Sequence, residues 1–457
     1  MIQSQTSLLS FRLPRTLTAT LLACLVAPAL LAQSTGRIAF ERFTLPNGLD
    51  VILAPDRSTQ VVAVDVWYFT GSRDEPIAKA GLARLFDRLM FAGSANVPAG
   101  AHAGLLEQAG GRVEGDVEED VSRFSETVSS NRLNQALWLE ADRMRGIVVN
   151  DTTVGESRAG LMDDLRSRTA GEPYTAAVVE AIAALYDSVA CPGYAHPPIG
   201  RTSTIAELTT RDAADFLNQH YRPNAARLVV AGDFEPAETR KTITDYFGGI
   251  ARGPEPHQAT CTATFSPGEQ RRTVNDRLAS RPAAGHFYRI PPHDHPDTPA
   301  LDLLGIILGQ GQGGRLTTRL TRELAAASAV QGGVLGSRQG PGVFGLFAVA
   351  GPGVSGDSLA ALLAAQATWA AGDGLADADL ERARNIYIAT AVSRRERPVD
   401  IAEALQHAAT FHGTPDAVNA EADRVRAVTL ADLRRVAAAW LKPENALTVV
   451  IAPGGAS

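Results

Sequence analysis

The chain has 457 residues, of which 45% are hydrophobic and 20% charged, and its formal net charge is −7. This is the composition of an ordinary globular protein, and it excludes a disordered, collagen-like or coiled-coil chain. The slight acidic excess, without any block of like charge, argues against a nucleic-acid binder that follows the phosphate backbone. Three cysteines are too few for a disulfide-dense scaffold.

The first 32 residues have the pattern of an export signal. Arg12 and Arg15 precede an apolar run over 17–31, and Ala29 and Ala32 offer small residues for cleavage. The run is too short to span a bilayer comfortably, which favours a cleaved signal over a membrane anchor. We therefore expect an exported protein, with the periplasm favoured over secretion. A lipid attached at Cys24 and a buried helix are the alternatives.

The next part of the chain alternates strands with helices. An Asn47-Gly48 turn between apolar segments predicts a hairpin over 43–53. Further strands are predicted over 61–69, 121–128 and 226–231, and helices over 80–91, 101–109, 131–145, 153–168, 174–187 and 209–220.

A segment rich in Pro, Gly and polar residues over 252–270 predicts a linker, after which the pattern restarts. The second half contains predicted strands over 283–290, 328–336 and 341–350, and predicted helices over 298–308, 315–326, 357–371, 376–393, 398–411 and 429–441.

The two halves end with similar sequences. Thr209 aligns with Thr429 and Pro223 with Pro443, at a constant offset of 220. In both copies a threonine caps a helix, a proline stops it and an apolar strand follows. We therefore predict an α+β fold of two duplicated domains, over 37–251 and 271–454. Each of them is expected to be a mostly antiparallel sheet packed with helices.

One segment of the first half is close to the zinc-site region of a peptidase family. Gly71-Ser72-Arg73-Asp74-Glu75 and the stretch GLARLFDRLMFAGS over 81–94 closely resemble the pitrilysin family, which includes insulin-degrading enzyme and the mitochondrial processing peptidases. In that family this helix carries an inverted zinc motif, H-x-x-E-H. The resemblance covers essentially the whole mature chain, and it implies the pitrilysin-like α/β roll in both domains.

The residues that carry the family's chemistry are replaced in this chain. The resemblance puts Arg84 and Arg88 at the two histidine positions, Asp87 at the general base and Asp164 at the third ligand. A guanidinium has no lone pair to offer a metal, and at about 4 Å each one repels a dication by several kcal/mol. We therefore expect no zinc and no other cofactor in this chain, with zinc in a partner subunit instead. The two arginines are predicted to pair with Asp87 and Asp164.

The second-domain positions are altered as well. The family usually supplies an Arg and a Tyr there, which stabilise the substrate carbonyl in the transition state. The resemblance puts Thr321 and Ser328 at these positions, although Arg322 is one residue away. We therefore expect no catalytic residue in this chain.

The resemblance also implies positions that contact substrate. Glu114 and Gly115 fall where family members have an Asn-Ala pair that positions the substrate. Gly313 and Gly314 belong to a glycine-rich loop, and a similar loop touches substrate in the non-catalytic subunit of the related processing peptidases. These four residues are the predicted substrate contacts.

The sequence leaves the roles of several cysteines and histidines open. Cys191 and Cys261 are either paired, which an oxidising compartment permits, or two unpaired thiols. His293-Asp294-His295 is a possible chelating loop, but an exposed loop with incidental histidines is favoured. His407 and His412 lack a nearby carboxylate and are interpreted as packing or surface residues.

The favoured hypothesis is an exported non-catalytic homologue that pairs with an active H-x-x-E-H homologue, or with itself, and encloses peptide substrates. The peptide would be held as an added strand on a sheet edge. The alternatives are an active metalloendopeptidase with an unconventional site and a stand-alone envelope binding or assembly protein. Nucleic acid is not an expected partner, and no membrane span is expected.

Overall fold

The computed structural model describes residues 36–256, 261, 270–336 and 338–454. The predicted export signal and most of the predicted linker lie outside these residues. The fold described below is that of the compact unit that begins at Ala39. Within the described residues, no helix is long and apolar enough to cross a membrane.

The first half alternates strands and helices as expected. Its strands are β1 (Glu41–Thr44), β2 (Asp50–Pro55), β3 (Val61–Tyr68), β4 (Arg112–Val117), β5 (Ser122–Ser129) and β6 (Ala226–Gly232). Its helices are α1 (Leu82–Leu89), α2 (Ala101–Glu107), α3 (Leu133–Arg145), α4 (Asp151–Gly171), α5 (Thr175–Ala183), α6 (Thr202–Ala206), α7 (Thr210–His220) and α8 (Pro236–Phe247).

The second half repeats this pattern with longer helices. Its strands are β7 (Gln270–Asp276), β8 (Ala283–Ile290), β9 (Ala327–Val334), β10 (Gly342–Ala350) and β11 (Ala446–Pro453). Its helices are α9 (Thr298–Gly309), α10 (Gly356–Ala371), α11 (Asp377–Ser393), α12 (Pro398–Phe411), α13 (Ala417–Ala427) and α14 (Leu430–Trp440), with a π-helix over Thr317–Glu323.

The two sheets have the same strand order. The first runs β1-β2-β6-β3-β5-β4, and the second runs β7-β11-β8-β10-β9. Each contains one parallel pair, β2 with β6 and β7 with β11, and its other neighbours are antiparallel. Within the residues that the structure describes, the second sheet therefore reproduces the first without a counterpart of β1, which confirms the predicted α+β class and the duplication.

The repeated helix cap is present in both halves. The side chain of Thr209 accepts a hydrogen bond from the backbone N–H of Asp212, and Thr429 accepts one from Asp432. Each aspartate carboxylate in turn accepts from the N–H of its threonine. These reciprocal bonds satisfy donors that a helix start leaves unpaired, so the offset of 220 residues reflects one local structure used twice.

Each half places a helix on the sheet of the other half. Helix α12 packs against β3 and β6 of the first sheet, and α5 packs against β8 and β11 of the second. Gln406 on α12 is fully buried, and its amide nitrogen donates to the carbonyl oxygens of Asp65 and Arg227, both at 3.1 Å. This exchange explains why β3 is buried on both faces although it belongs to a single sheet.

The structure differs from the sequence prediction at several elements. A helix was expected over 315–326, but residues Thr317–Glu323 form π-helical turns, in which Leu324 N–H donates to the Arg319 carbonyl. The wider turn keeps Leu316 and Leu320 on one buried face. The prediction omitted β4, β7, α6, α8 and α13, and β7 begins at Gln270, the last residue of the predicted linker.

The two cysteines among the described residues are paired. Cys191 and Cys261 form a disulfide across a sequence separation of 70 residues. Of the two alternatives that the sequence left open, the structure therefore has the bonded one. The bond ties the described residue of the linker region to the buried cluster that α5 forms with β8 and β11.

Candidate functional site

Helix α1 contains Arg84, Asp87 and Arg88, the residues that the resemblance puts at the positions of the zinc motif. One face of α1 is buried in the first core through apolar residues: Leu82, Ala83, Leu85, Phe86 and Leu89. The remaining face packs towards α4 and β4. The helix begins after Gly81 at a φ of 100°, and the buried Glu75 carboxylate accepts from the N–H groups of Gly81 and Ala83 at 2.8 and 2.7 Å. Both the apolar face and this cap fix the orientation of α1.

Arg84 is enclosed and has three acceptors. Its Nη1 lies 2.6 Å from a carboxylate oxygen of Asp116, 2.6 Å from the carbonyl oxygen of Val117 and 3.1 Å from a carboxylate oxygen of Asp87. The side chain is only 15% exposed. The arginine at the first histidine position is therefore a structural ion-pair centre that joins α1 to β4.

Asp87, at the general-base position, is held beside this guanidinium. Burial raises the pKa of the Asp87 carboxyl to about 7, with a further contribution from Asp116 and an opposing one from Arg84. Near neutral pH the Asp87 carboxyl is therefore divided between its two protonation states. The neighbouring Arg84 guanidinium favours the ionised state.

Arg88 forms a second, more exposed pair. Its Nη2 lies 2.8 Å from a carboxylate oxygen of Asp164, and the two side chains are 46% and 50% exposed. The guanidinium lies across Gly160 on α4, where a Cβ would be 2.5 Å from the Arg88 Nε. The structure thus contains both predicted pairs, Arg84 with Asp87 and Arg88 with Asp164, but they differ strongly in exposure.

Sequence reasoning missed Asp116 and Arg123, which extend the first pair. Asp116 binds Arg84 through one carboxylate oxygen and Arg123 through the other, at 3.1 Å. Arg123 also lies 2.9 Å from Glu118 and 2.7 Å from Glu403 on α12. The cluster is therefore not a balanced set of two arginines and two aspartates, because it continues through β4 and β5 to the second half.

The predicted substrate contacts Glu114 and Gly115 lie on β4, an edge strand of the first sheet. Glu114 pairs with Arg112 on the same strand at 2.5 Å. Gly115 faces Phe124 on β5, and a Cβ there would lie 2.9 Å from the Phe91 ring and 3.0 Å from the Phe124 ring. Gly115 is thus required by aromatic packing, whatever its relation to substrate.

The other predicted positions lie in the second half. Gly313 and Gly314 are in the loop between α9 and the π-helix, Thr321 is in the π-helix, and Ser328 is on β9. The Ser328 hydroxyl donates to backbone carbonyls of β10, at 3.3 Å to Val349 and 3.2 Å to Ala350. Within the described part of the chain, no hydrogen bond or ion pair joins these four residues to α1.

Three histidines from two separate segments meet in the second half. The ring nitrogens of His293, His407 and His412 that could bind a metal all lie within 4.8 Å of one another. Their ring centroids are 4.9 Å apart for His293 and His407, 5.0 Å for His293 and His412, and 6.3 Å for His407 and His412. All three rings line a cavity of about 1340 Å³ that also borders Trp67 and Arg123 of the first half.

These rings are neutral at pH 7. Burial lowers the pKa of His407 to about 3, and it lowers the pKa values of His293 and His412 to about 4 each, with the nearby Arg424 acting in the same direction. The sequence analysis interpreted His293 as an incidental histidine of an exposed loop, and His407 and His412 as packing or surface residues. The position of α12 against the first sheet, which brings them together, has no local sequence signal.

Known proteins resemble this chain in both sequence and fold. A model of the insulinase family (peptidase family M16) matches residues 50–181, and a model of the peptidase M16 inactive domain matches residues 207–387. Together these two matches cover more than half of the chain. The chain is a member of peptidase family M16.

Individual M16 relatives are distant. The zinc protease PqqE of Helicobacter pylori is 27% identical over 63% of this chain and 65% of its own length. Subunit 1 of the mitochondrial cytochrome b-c1 complex of Caenorhabditis elegans is 24% identical over 64% of this chain and 59% of its own length. The chain therefore matches less than two thirds of either relative.

The M16 fold is matched over a greater length. The crystal structure of a protease from Helicobacter pylori superimposes with a TM-score of 0.85 at 24% identity, covering 91% of this chain and all of that one. The observed pair of sheets with exchanged helices is thus the M16 fold.

The M16 zinc position does not fit a zinc ion in this chain. Zinc in proteins takes thiolate, imidazole or carboxylate ligands. Here Arg84 and Arg88 offer only donors, and both guanidinium groups are already bound to carboxylates. The remaining carboxylate position, Asp164, is occupied by its pair with Arg88. The donor set therefore argues against zinc at this place in the M16 fold.

Proposed function

We propose that this M16 chain is a non-catalytic subunit that pairs with a zinc-bearing M16 homologue and helps to enclose peptide substrates. The observation that carries this proposal is that the M16 fold is kept while arginines stand at the predicted positions of the zinc-binding histidines. The M16 scaffold is matched over nine tenths of the chain, whereas the two histidine positions hold Arg84 and Arg88 in ion pairs. Replacing the ligands by a structured ion-pair cluster preserves the scaffold without preserving hydrolysis.

The edge strand β4 supports a role in holding peptide. It lies at the end of the first sheet, where backbone N–H and C=O groups on its outer side are available to an added strand. Such binding requires main-chain hydrogen bonds and no catalytic group. Glu114 is exposed on this strand, next to Arg112, so the two side chains present both charges to an extended peptide.

A stand-alone assembly role is the second candidate. It is favoured by the Caenorhabditis relative, whose name makes it subunit 1 of a mitochondrial cytochrome b-c1 complex. In either case we propose that the chain acts outside the cytoplasm, since residues 1–32 have the pattern of an export signal. Cell fractionation tests this location: recovery of the protein with its first 32 residues intact in the cytoplasm would contradict it.

Reconstitution with an H-x-x-E-H homologue from the same organism tests the function. Light scattering would measure the mass of the complex, and cleavage of a quenched fluorescent peptide would measure activity. We expect a stable complex whose cleavage rate exceeds that of the homologue alone. Asp87→Asn in this chain is the matched control and should leave that rate unchanged, because Asp87 activates no metal-bound water here.

Two outcomes would overturn the proposal. If the chain forms no complex and does not alter the homologue's activity, the assembly role replaces it. If the isolated chain cleaves peptide in a chelator-sensitive way, and Asp87→Asn abolishes that cleavage, the chain is an active peptidase with an unconventional site.

A further inference from the structure

The cluster of His293, His407 and His412 has the composition of a transition-metal site. Imidazole nitrogen is a ligand that Zn²⁺, Ni²⁺, Cu²⁺ and Co²⁺ bind well, whereas Mg²⁺ and Ca²⁺ prefer oxygen. The ring nitrogens of His293, His407 and His412 lie within 4.8 Å of one another and so provide three such ligands. The sequence spacing of these histidines matches no short metal motif, so only the fold brings them together.

The backbone supports of the cluster are well defined. His293 follows two prolines, and its N–H donates to the Arg338 carbonyl oxygen at 3.0 Å. His412 ends α12, with its N–H bonded to the Ala408 carbonyl oxygen at 3.0 Å, and His407 lies within that helix. Zinc–nitrogen bonds of about 2.0–2.1 Å place tetrahedral ligand nitrogens about 3.4 Å apart, so nitrogens that lie within 4.8 Å of one another need to approach by at most about 1.4 Å to close the site.

A second set of potential ligands provides a contrast. His102, Glu126 and Glu140 also lie within 4.8 Å of one another, and all three are buried. The guanidinium of Arg143 is bound to Glu140 and lies over the rings of Phe91 and Phe124, so a fixed cation already neutralises that set. The cluster of His293, His407 and His412 differs in that its three rings line a large cavity and are only partly buried.

We propose that His293, His407 and His412 bind one divalent transition-metal ion, in a site separate from the M16 zinc position. All three residues line the cavity of about 1340 Å³, so the fourth coordination position faces a space that a water molecule or a ligand can enter. Three protein ligands with one open position are typical of reactive zinc sites, whereas structural sites are closed by four protein ligands.

The charges around the site favour an anion at the open position. Arg424 and Arg394 act on the histidines as nearby positive charges, and Asp294 is a negative charge near His412. Arg394 and Arg424 also line the same cavity. A metal ion bound among neutral rings and two arginines would be compensated by a hydroxide or carboxylate ligand. The carboxylate of a peptide in the cavity is one such ligand.

Metal binding by tag-free full-length protein tests this proposal, since a polyhistidine tag would supply a competing site. Co²⁺ is titrated and followed by its visible ligand-field absorption, and zinc is then added as a competitor and counted by mass spectrometry after dialysis. We expect one equivalent of metal, with tetrahedral Co²⁺ intensity. His407→Ala and His412→Gln should each weaken binding by about 100-fold or more.

Two control variants separate this site from adventitious binding. His295→Ala removes a histidine of the same loop whose ring packs on Trp440, and His220→Ala removes one on α7 that packs on Phe216. Both should leave the affinity unchanged. Thermal unfolding monitors folding: Co²⁺ should raise the Tm of the wild-type chain and of both controls, but not that of His412→Gln. Metal uptake that is well below one equivalent, or that is equal in all variants, would overturn the proposal.

Discussion

Replacing Arg84 by alanine tests whether the arginine at the first zinc-ligand position now stabilises the fold. In the structure this side chain joins α1 to β4 through Asp87, Asp116 and the Val117 carbonyl, and it is only 15% exposed. Truncation leaves Asp87 without its cation, although Asp116 retains Arg123. A partly buried carboxylate that loses its partner is the expected source of instability.

The exposed pair of Arg88 with Asp164 serves as an internal control for the loss of stability expected from Arg84→Ala. Removing one partner of a buried ion pair costs about 3–5 kcal/mol of unfolding free energy. The pair of Arg88 and Asp164 lies on the same helix but is about half exposed, so Arg88→Ala should cost about 0–1 kcal/mol. The expected difference between the two variants is therefore at least about 2 kcal/mol.

The cost should also depend on pH. Because the pKa of Asp87 is raised to about 7, the carboxyl is mostly protonated at about pH 5.5 and needs no cation there. Above pH 7 it ionises, and the loss of Arg84 then exposes an unpaired charge. The difference between the wild-type chain and Arg84→Ala should thus be larger at about pH 8 than at about pH 5.5.

Urea unfolding at both pH values, followed by circular dichroism, measures these free energies. Equal destabilisation by Arg84→Ala and Arg88→Ala, or a cost that does not increase with pH, would refute this reasoning. The first result would show that the contacts of Arg84 contribute no more than a surface pair.

Three further predictions concern stability, each measured by denaturant unfolding. Cys191→Ser should lower the unfolding free energy by about 4 kcal/mol, because the disulfide closes a loop of 70 residues, and a reductant should reduce the gap. Burial raises the pKa of Glu75 to about 8, so the folded state keeps the proton of this carboxyl group to a higher pH than the unfolded state does. The stability that the group contributes is therefore lost as the pH rises from about 4.5 towards 8. Glu75→Gln should flatten that decline, and an unchanged slope would contradict the prediction. Thr209→Ala and Thr429→Ala should each cost about 1 kcal/mol, because the same cap is used twice; a large inequality would show that the two copies differ in energy.

The repeated architecture was accessible from the sequence because it depends on local signals. The caps at Thr209 and Thr429, the prolines that follow, and the β-branched strands each specify their own geometry without reference to distant residues. The two sheets with a shared strand order are the direct result. The ion pair of Arg84 with Asp87 was predictable for the same reason, since residues three apart share a helix face.

The rest depended on tertiary packing. Asp116 reaches Arg84 from β4, a short and mostly exposed edge strand whose place in the sheet is set by its pairing with β5. His293 meets His407 and His412 only because α12 crosses to the first sheet, and no pattern within that helix specifies the crossing. The π-helix over Thr317–Glu323 likewise follows from keeping Leu316 and Leu320 in one core.

The zinc content of the His407→Ala variant tests the central claim most directly, because that variant lacks the proposed histidine site and retains the M16 position. Protein equilibrated with buffered zinc and then analysed by mass spectrometry should contain far less than one equivalent, since Arg84 and Arg88 offer no ligand atom. One full equivalent in this variant, lost on the further substitution Asp164→Ala, would contradict the account. It would show that this M16 chain still holds its metal where its arginines lie.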